Sequence, residues 1–530
     1  MILIKSYNKL MKKLFKLSKW IHKYIGLLLV LFLMWESASG ILMNHPELIS
    51  NISVPGWLIP SHYHIENWNR SSLTRIVYSN TNKERLFGSG KLGVWESNDG
   101  GKTFYPFMKG YTESYYYLKT NDLFLHENDS LQILFAAADD GLYYNSFIDN
   151  VWKQINLSEE KESVKRILPV EEQLVVFTES NVYRSNIHND LLSFRKVELK
   201  RKENNRIVTL VDLFFHLHDG RVWGLPGRLL FDFVGLIIFF LSLSAFYVWY
   251  FPKRLKRKRE RKIPLNNSEK LFYRLFFKYH LKLGIWTAAI TLIIAGTAFF
   301  MRPPLLAVIA NGSVDAAFYP GILPENIWHE KIQNALYNPN KEKILIATKE
   351  GIFSGKYDFS ENFELDKINA PIFVMGATVF EMFENENYLV GSFGGLFEVK
   401  SNTEKPFDLI NKKELNDFSN VMPADIMVTG YFKLPDGKEF ISAHEQGIIP
   451  LGSSKIDDRF IMPDKITNDF RMSLWNYLFE IHNGRFFQGI VGSFYILIVP
   501  LGSLFFLAII FSGFYDWVYI KILKRKKKLI

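Results

Sequence analysis

The sequence predicts a membrane protein in which four transmembrane α-helices, arranged as two tandem repeats, carry two large all-β external lobes. Three observations predict this. Four apolar runs of about twenty residues each stand beside a Lys/Arg cluster, short motifs recur in order in both halves of the chain, and the long stretches between the runs read as strand-turn-strand.

The runs come first. Residues 24–43, 229–251, 281–301 and 490–518 are each close to the ~20 residues that cross a bilayer as a helix. Segments 1–23, 253–262 and 521–530 together hold 21 Lys/Arg against one acid, Glu260, while the chain as a whole carries +10, so everything else sums to −10. Basic flanks stay in the cytoplasm, which puts 1–23, the 252–280 loop and 519–530 inside and the lobes 44–228 and 302–489 outside. For a Gram-negative cell this means a bacterial inner membrane protein with periplasmic lobes. Trp20, Trp249 and Trp517 sit near the cytoplasmic ends, as an aromatic belt does. The first run contains Trp35 and Glu36 and lacks a small-x-small cleavage site, so it reads as a retained helix. Pro500 is expected to kink the fourth span. Nucleic acid is excluded as a partner because the basic residues lie in tails rather than on a folded surface, and lipid is the expected one. With no cysteine, disulfides, thiolate metal sites and covalently attached haem are excluded.

The repeat follows. LFFHLHDGRVWG (213–224) precedes the second run and YLFEIHNGRFFQG (477–489) the fourth, aligning His218, Gly220 and Arg221 with His482, Gly484 and Arg485. WIHKYIG opens the first run and KYHLKLG the third, aligning His22 and Gly26 with His280 and Gly284. Gly40 has an offset counterpart in Gly296. Parallel repeats of this kind pack about an axis along the membrane normal.

In the lobes, SNDGGKTF (97–104) has the pattern of an Asp-box, a turn in which Ser97 and Asp99 bond backbone N–H groups, Gly101 and Thr103 shape the loop, and Phe104 packs beneath. Shorter echoes, DDGLYYN (139–145), SNVYRSN (180–186), KEGIFSG (349–355), FGGLFEV (393–399) and EQGIIPL (445–451), each follow an apolar strand at about the spacing of a four-stranded blade. The lobes are therefore β-propeller-like, with three blades expected in each, either as two domains or as one joint ring of six or seven.

Histidine at membrane depth is costly and marks function, although single interfacial histidines also bond headgroups. Here two repeat-related pairs occur. A two-fold-like packing brings His22 towards His280 and His218 towards His482, so that each pair offers two axial imidazoles to a flat macrocycle. Gly26 and Gly284, one helical turn beyond their histidines, leave room for its edge. Arg221 and Arg485 suit its propionates or, equally, lipid headgroups. Of the remaining candidates, His45 is an alternative outer ligand or an interfacial residue, and His216 is a weaker ligand than His218. His62 and His64, alternating as on a strand, read as surface residues. Glu36 relays protons, contacts a quinone, or bonds Ser39 or a neighbouring helix.

The W-x-H-x-x-x-G start (Trp20, His22, Gly26), the SGILMNH end of the first run and the H-x-G-R approach to the next resemble the PepSY-associated transmembrane family. That family includes four-span ferric-siderophore reductases with two b-type haems. The resemblance implies axial ligation of two haems b by His22, His218, His280 and His482. It also implies electron transfer across the membrane from a quinol or cytoplasmic donor to a periplasmic ferric chelate or siderophore. The lobes depart from the family pattern, since no PepSY module is recognisable in them. The alternative is a non-catalytic, membrane-anchored propeller that binds a periplasmic protein partner.

Overall fold

The computed structural model describes residues 2–523, apart from 129–130, 159–160, 189, 203–206, 265, 311, 384–385, 401–404, 417–420 and 453–456. The part of the basic C-terminal segment at 524–530 lies outside the described residues. Two compact units result: residues 1–49, 205–323 and 474–530 form a helical unit, and residues 50–204 and 324–473 form a β unit.

In the helical unit the main elements are α1 (Ile2–Met43), α2 (Leu210–Asp219), α3 (Gly224–Glu260), α4 (Asn267–Trp286), α5 (Ala288–Phe300), α6 (Leu474–His482) and α7 (Ile498–Val518). Among the described residues three segments are long and apolar enough to cross a membrane: Lys9–Met43, Arg221–Glu260 and Arg485–Lys521. The expected third span is broken, with α4 and α5 meeting at 67°. The cause is local. Thr287 Oγ1 bonds the Leu283 carbonyl at 2.9 Å, and Thr291 Oγ1 bonds the Thr287 carbonyl at 2.8 Å. Such back-bonding by Thr bends a helix.

Other boundaries also differ from the sequence reading. The basic N-terminal segment continues α1 rather than preceding it, and most of the 252–280 segment is helix, because α3 runs on past Pro252 and α4 starts at Asn267. Lys and Arg are good helix formers, so a charge run extends a helix as readily as it ends one. Pro500 does not kink the fourth span. It lies in the first turn of α7, where its missing N–H has no intrahelical partner to lose. Leu29 and Leu33 of α1, Val234 and Ile238 of α3, Ile290 and Ile294 of α5, and Phe505 and Ile509 of α7 form one apolar core.

Among the described residues the β unit contains six antiparallel sheets of three to five strands, each joined in chain order, and a two-stranded one that pairs Ser53–Pro55 with Arg471–Ser473. Three come from residues 50–204 and have four strands each, starting at Arg75, Thr120 and Val164; three come from 324–473 and have four, five and three strands, starting at Ile332, Val379 and Val428. The second strand of each sheet is apolar without alternation because both of its faces are covered. Phe135 packs with the third sheet and Leu134 with the first; Val175 packs with the fourth and Val176 with the second. Six clusters arise in this way. Five join successive sheets, and the one built on Trp68, Trp95, Phe104, Phe432 and Phe440 joins the sixth sheet to the first.

Four charged side chains from four sheets meet. Arg75 pairs with Asp122 at 3.0 Å and with Glu381, while Arg166 lies 3.5 Å from Asp122 and 3.6 Å from Glu381. Beside them is a cavity of about 380 Å³ lined by polar residues that include Lys119, Asn121, Lys165 and Gln333.

The turn at 97–104 connects the third and fourth strands of the first sheet. Asp99 Oδ1 accepts from the Lys102 and Thr103 N–H groups at 3.0 Å, its Oδ2 accepts from Thr103 Oγ1 at 2.6 Å, and Ser97 Oγ accepts from Gly101 N–H at 2.9 Å. Phe104 is buried beneath. The five echoes occupy a different turn, the hairpin between second and third strands, which in the first sheet is Lys91-Leu92. Five of the six hairpins share a glycine with positive φ opening the third strand, Gly93, Gly141, Gly351, Gly395 and Gly447, whereas in the third sheet that strand opens at Val182. His62 lies in a short 3-10 turn, Ser61–Tyr63, rather than on a strand, and His64, just after it, bonds the Gly56 and Ile59 carbonyls.

Candidate functional site

The helical unit brings the four repeat-related histidines into two pairs. His22 on α1 and His280 on α4 have ring centroids 6.2 Å apart with planes at 84°; His218 at the end of α2 and His482 at the end of α6 are 6.3 Å apart at 73°. A separation of this size leaves room between the two rings for one metal ion with a metal–nitrogen bond of about 2 Å to each.

The second ring nitrogen is held in every case. His22 Nδ1 is 3.1 Å from the Ile509 carbonyl, and His280 Nδ1 is 2.8 Å from Ser244 Oγ. His218 Nδ1 is 3.1 Å from both the Ile294 carbonyl and Thr297 Oγ1, and His482 Nδ1 is 2.8 Å from Ser39 Oγ. The hydroxyls of Ser244, Thr297 and Ser39 already donate to helix carbonyls one turn back, Leu241, Ile293 and Trp35. While those bonds hold, the hydroxyl oxygens accept from the imidazole. That assigns the proton to Nδ1 and leaves the Nε2 lone pair for a ligand, the arrangement expected of metal-bound histidine.

These partners were not singled out from the sequence, yet the repeat contains them. Ser39 follows His22, and Thr297 follows His280, by seventeen residues, while Ser244 and Ser512 open matching S-x-F-Y-x-W segments. Ser512 Oγ bonds the same Ile509 carbonyl that receives His22.

The glycines leave space. A Cβ on Gly26 or Gly296 would meet nothing within 4 Å, one on Gly284 only the Leu241 methyls at 3.9–4.0 Å, and one on Gly40 the His482 ring at 3.6 Å. Gly220 and Gly484 have a different task. Both end their short helix at φ +82° and +78°, and a Cβ on Gly220 would come within 2.6 Å of the Gly227 carbonyl oxygen. Each reversal sets its histidine at the mouth of the next span.

Arg221 is paired with Asp219 at 2.6 Å and Arg485 with Glu480 at 3.4 Å, so each guanidinium meets a carboxylate of its own segment. His45 has both ring nitrogens engaged, Nε2 with Asp232 at 2.8 Å and Nδ1 with Glu47 at 3.3 Å. Its hydrogen bond to the Asp232 carboxylate raises its pKa above the ordinary value, against the effect of burial. His216 Nδ1 bonds the Tyr319 hydroxyl at 3.0 Å. Glu36 reaches α6, where Oε2 lies 3.0 Å from His482 Nδ1. Among the described residues no group of three or more His, Cys, Asp or Glu is placed to hold a metal ion. Two opposed imidazoles instead suit a metal whose remaining ligands come with it, as in a porphyrin.

No curated protein matches the chain in sequence. Among solved structures it is similar to the extracellular domain of BT4673 from B. thetaiotaomicron, with 9% identity and a TM-score of 0.32, covering 74% of this chain and 40% of that one. It is similar also to YCF48 from Cyanidioschyzon merolae (9%, TM-score 0.29, 73% and 98% covered) and to Sqt1 of Saccharomyces cerevisiae (11%, TM-score 0.26, 73% and 98% covered). The chain thus spans less than half the length of the BT4673 domain. A model of the PepSY-associated TM region matches residues 19–519, which takes in both histidine pairs and the whole β unit. The chain belongs to the PepSY-associated transmembrane family.

Proposed function

We propose that this protein is an inner-membrane electron conduit that holds two haems b, one between His22 and His280 and one between His218 and His482. The observation that carries the reading is the pair of imidazole spacings, 6.2 and 6.3 Å, each with Nδ1 tied to an acceptor and Nε2 left for iron. Bound haem supplies a one-electron carrier at each site. The chain's own residues orient the four imidazoles through Ile509, Ser244, Thr297, Ser39 and Glu36, and leave space at Gly26, Gly284 and Gly296. Between the sites they exclude water with the Leu29–Ile238 core. His22 and Ser39, which meet the two sites, are seventeen residues apart on α1, or about 26 Å along the axis, so the sites lie towards opposite leaflets.

On this reading α4 and α5 are one broken span, giving four, and the basic segments face the cytoplasm. The six sheets are the blades of one propeller, supported by the cyclic order of their six clusters. Electrons pass from a quinol or cytoplasmic donor to a periplasmic acceptor, for which a ferric chelate is the candidate.

Pyridine haemochrome analysis of the purified chain tests the proposal and is expected to give two b-type haems. His22→Ala or His280→Ala is expected to empty one site, and His218→Ala or His482→Ala the other. A colourless protein from haem-replete cells would sink the conduit and favour a docking propeller.

A further inference from the structure

The four imidazoles are repeat-related, but their surroundings are not equal. The fourteenth residue after His22 is Glu36, whereas the fourteenth after His280 is Ile294. Glu36 Oε2 lies 3.0 Å from His482 Nδ1. In the same pair, His218 bonds only the Ile294 carbonyl and Thr297. Among the described residues the other pair bonds neutral groups, the Ile509 carbonyl and the Ser244 and Ser512 hydroxyls. Asp516, the carboxylate near His22, faces Ser18 and makes no hydrogen bond to the imidazole.

We infer that Glu36 is a positioning residue that makes the His218–His482 site the lower-potential one of the two. This rests on the two-site reading above. A carboxylate that accepts the Nδ1 proton increases the basicity of Nε2, and a more basic axial ligand favours the more positively charged, oxidised metal. A fixed negative charge in a water-poor helical unit acts in the same direction and is weakly screened.

The functional consequence is an order of filling. The first electron taken from the donor rests on the His22–His280 site, and the His218–His482 site fills second. An acceptor at the outer face then meets the stronger reductant once both sites are reduced, and one electron leaves for each one that the donor supplies.

Redox titration of the full-length protein in detergent, followed in the visible spectrum, tests this. Two one-electron waves are expected, and His218→Ala should remove the lower. Glu36→Gln keeps the shape and a hydrogen-bond acceptor but removes the charge. It is expected to shift the lower wave upward by at least tenfold in equilibrium constant, about 59 mV for one electron, with the upper wave and the haem count unchanged. Glu36→Asp, which retains the charge, should stay near the wild type. Should Glu36→Gln fail to load haem, Ile294→Glu places a second carboxylate at the repeat-equivalent position and should move the lower wave further down. A coloured, two-haem protein whose waves ignore these substitutions overturns the role of Glu36 alone, whereas a colourless wild type overturns the two-site reading beneath it.

Discussion

At the scale of single residues, the chemistry depends on where a proton sits. Each pair-forming imidazole has Nδ1 against a carbonyl, hydroxyl or carboxylate oxygen that can accept its hydrogen, so one tautomer is favoured. Asp99 in the β unit shows the same economy. Burial opposes its charge, but bonds from Thr103, Ser97 and Lys102 outweigh that and pull its pKa down to about 2. A carboxylate with a depressed folded pKa stabilises the protein above its unfolded value of about 3.9. That contribution fades as pH falls through about 2. Acid unfolding of the wild type should therefore include a component between about pH 4 and 2 that Asp99→Ala lacks. At neutral pH the same substitution is expected to cost about 1–3 kcal/mol through the lost turn bonds, measurable by thermal denaturation.

At the scale of elements, short pieces aim the long ones. The helices α2 and α6 are only ten and nine residues long, yet each ends in a histidine or one residue past it, reverses at a left-handed glycine and hands the chain to a span. Asp219 and Asn483 stand at equivalent places and accept from the Arg221 and Arg485 N–H groups at 2.9 Å, which closes both reversals. Gly220→Ala puts a Cβ at positive φ and against the Gly227 carbonyl. It should destabilise the reversal by about 1–3 kcal/mol. It should also lower haem content at the His218–His482 site while sparing the other, as read from the spectrum of the purified variant. The bend at Thr287 belongs to this scale too. Two Thr hydroxyls bond back to their own helix at the break of a run whose hydropathy alone reads as one straight span.

At the scale of the whole molecule, each unit draws on both halves of the sequence. The helical unit uses three separate segments and the β unit two, so neither can form until distant parts of the chain meet. In the β unit that meeting includes Arg75, Asp122, Arg166 and Glu381, two cations and two carboxylates from the first, second, third and fifth sheets. Glu381→Gln leaves two buried guanidiniums with one carboxylate, and a loss of about 3 kcal/mol is expected in the melting of the β unit. Restoring neutrality with a second change, Arg166→Met, should recover part of it. Topology is tested at the same scale: reporter fusions near residues 130, 260, 420 and 530 should read outside, inside, outside, inside. A cytoplasmic signal at 130 or 420 would end the orientation proposed here.

Much of the helical unit and of the candidate site is legible in the amino-acid order. A run of twenty apolar residues can only be buried in lipid or protein, a Lys/Arg flank marks its end, and a motif repeated in register names its own partner, which is why His22 points to His280 and His218 to His482. The strands of the β unit are legible for a similar reason, since QILFAA and KILIAT have no polar face to expose. Other features are invisible without the folded chain. Glu36 and His482 are separated by 446 positions, and no local pattern couples them. Nothing in DDGLYYN or KEGIFSG says which turn of a sheet it occupies, because a hairpin and an Asp-box both ask for Gly, Asp and an aromatic. The pairing of the sixth sheet with the first depends on one cluster that gathers Trp68 and Phe440 from opposite ends of the β unit's sequence. Hydropathy and turn chemistry act within a few residues and so are written in the order of the chain. Which buried faces meet is decided by packing among segments far apart in that order, and only the tertiary structure contains it.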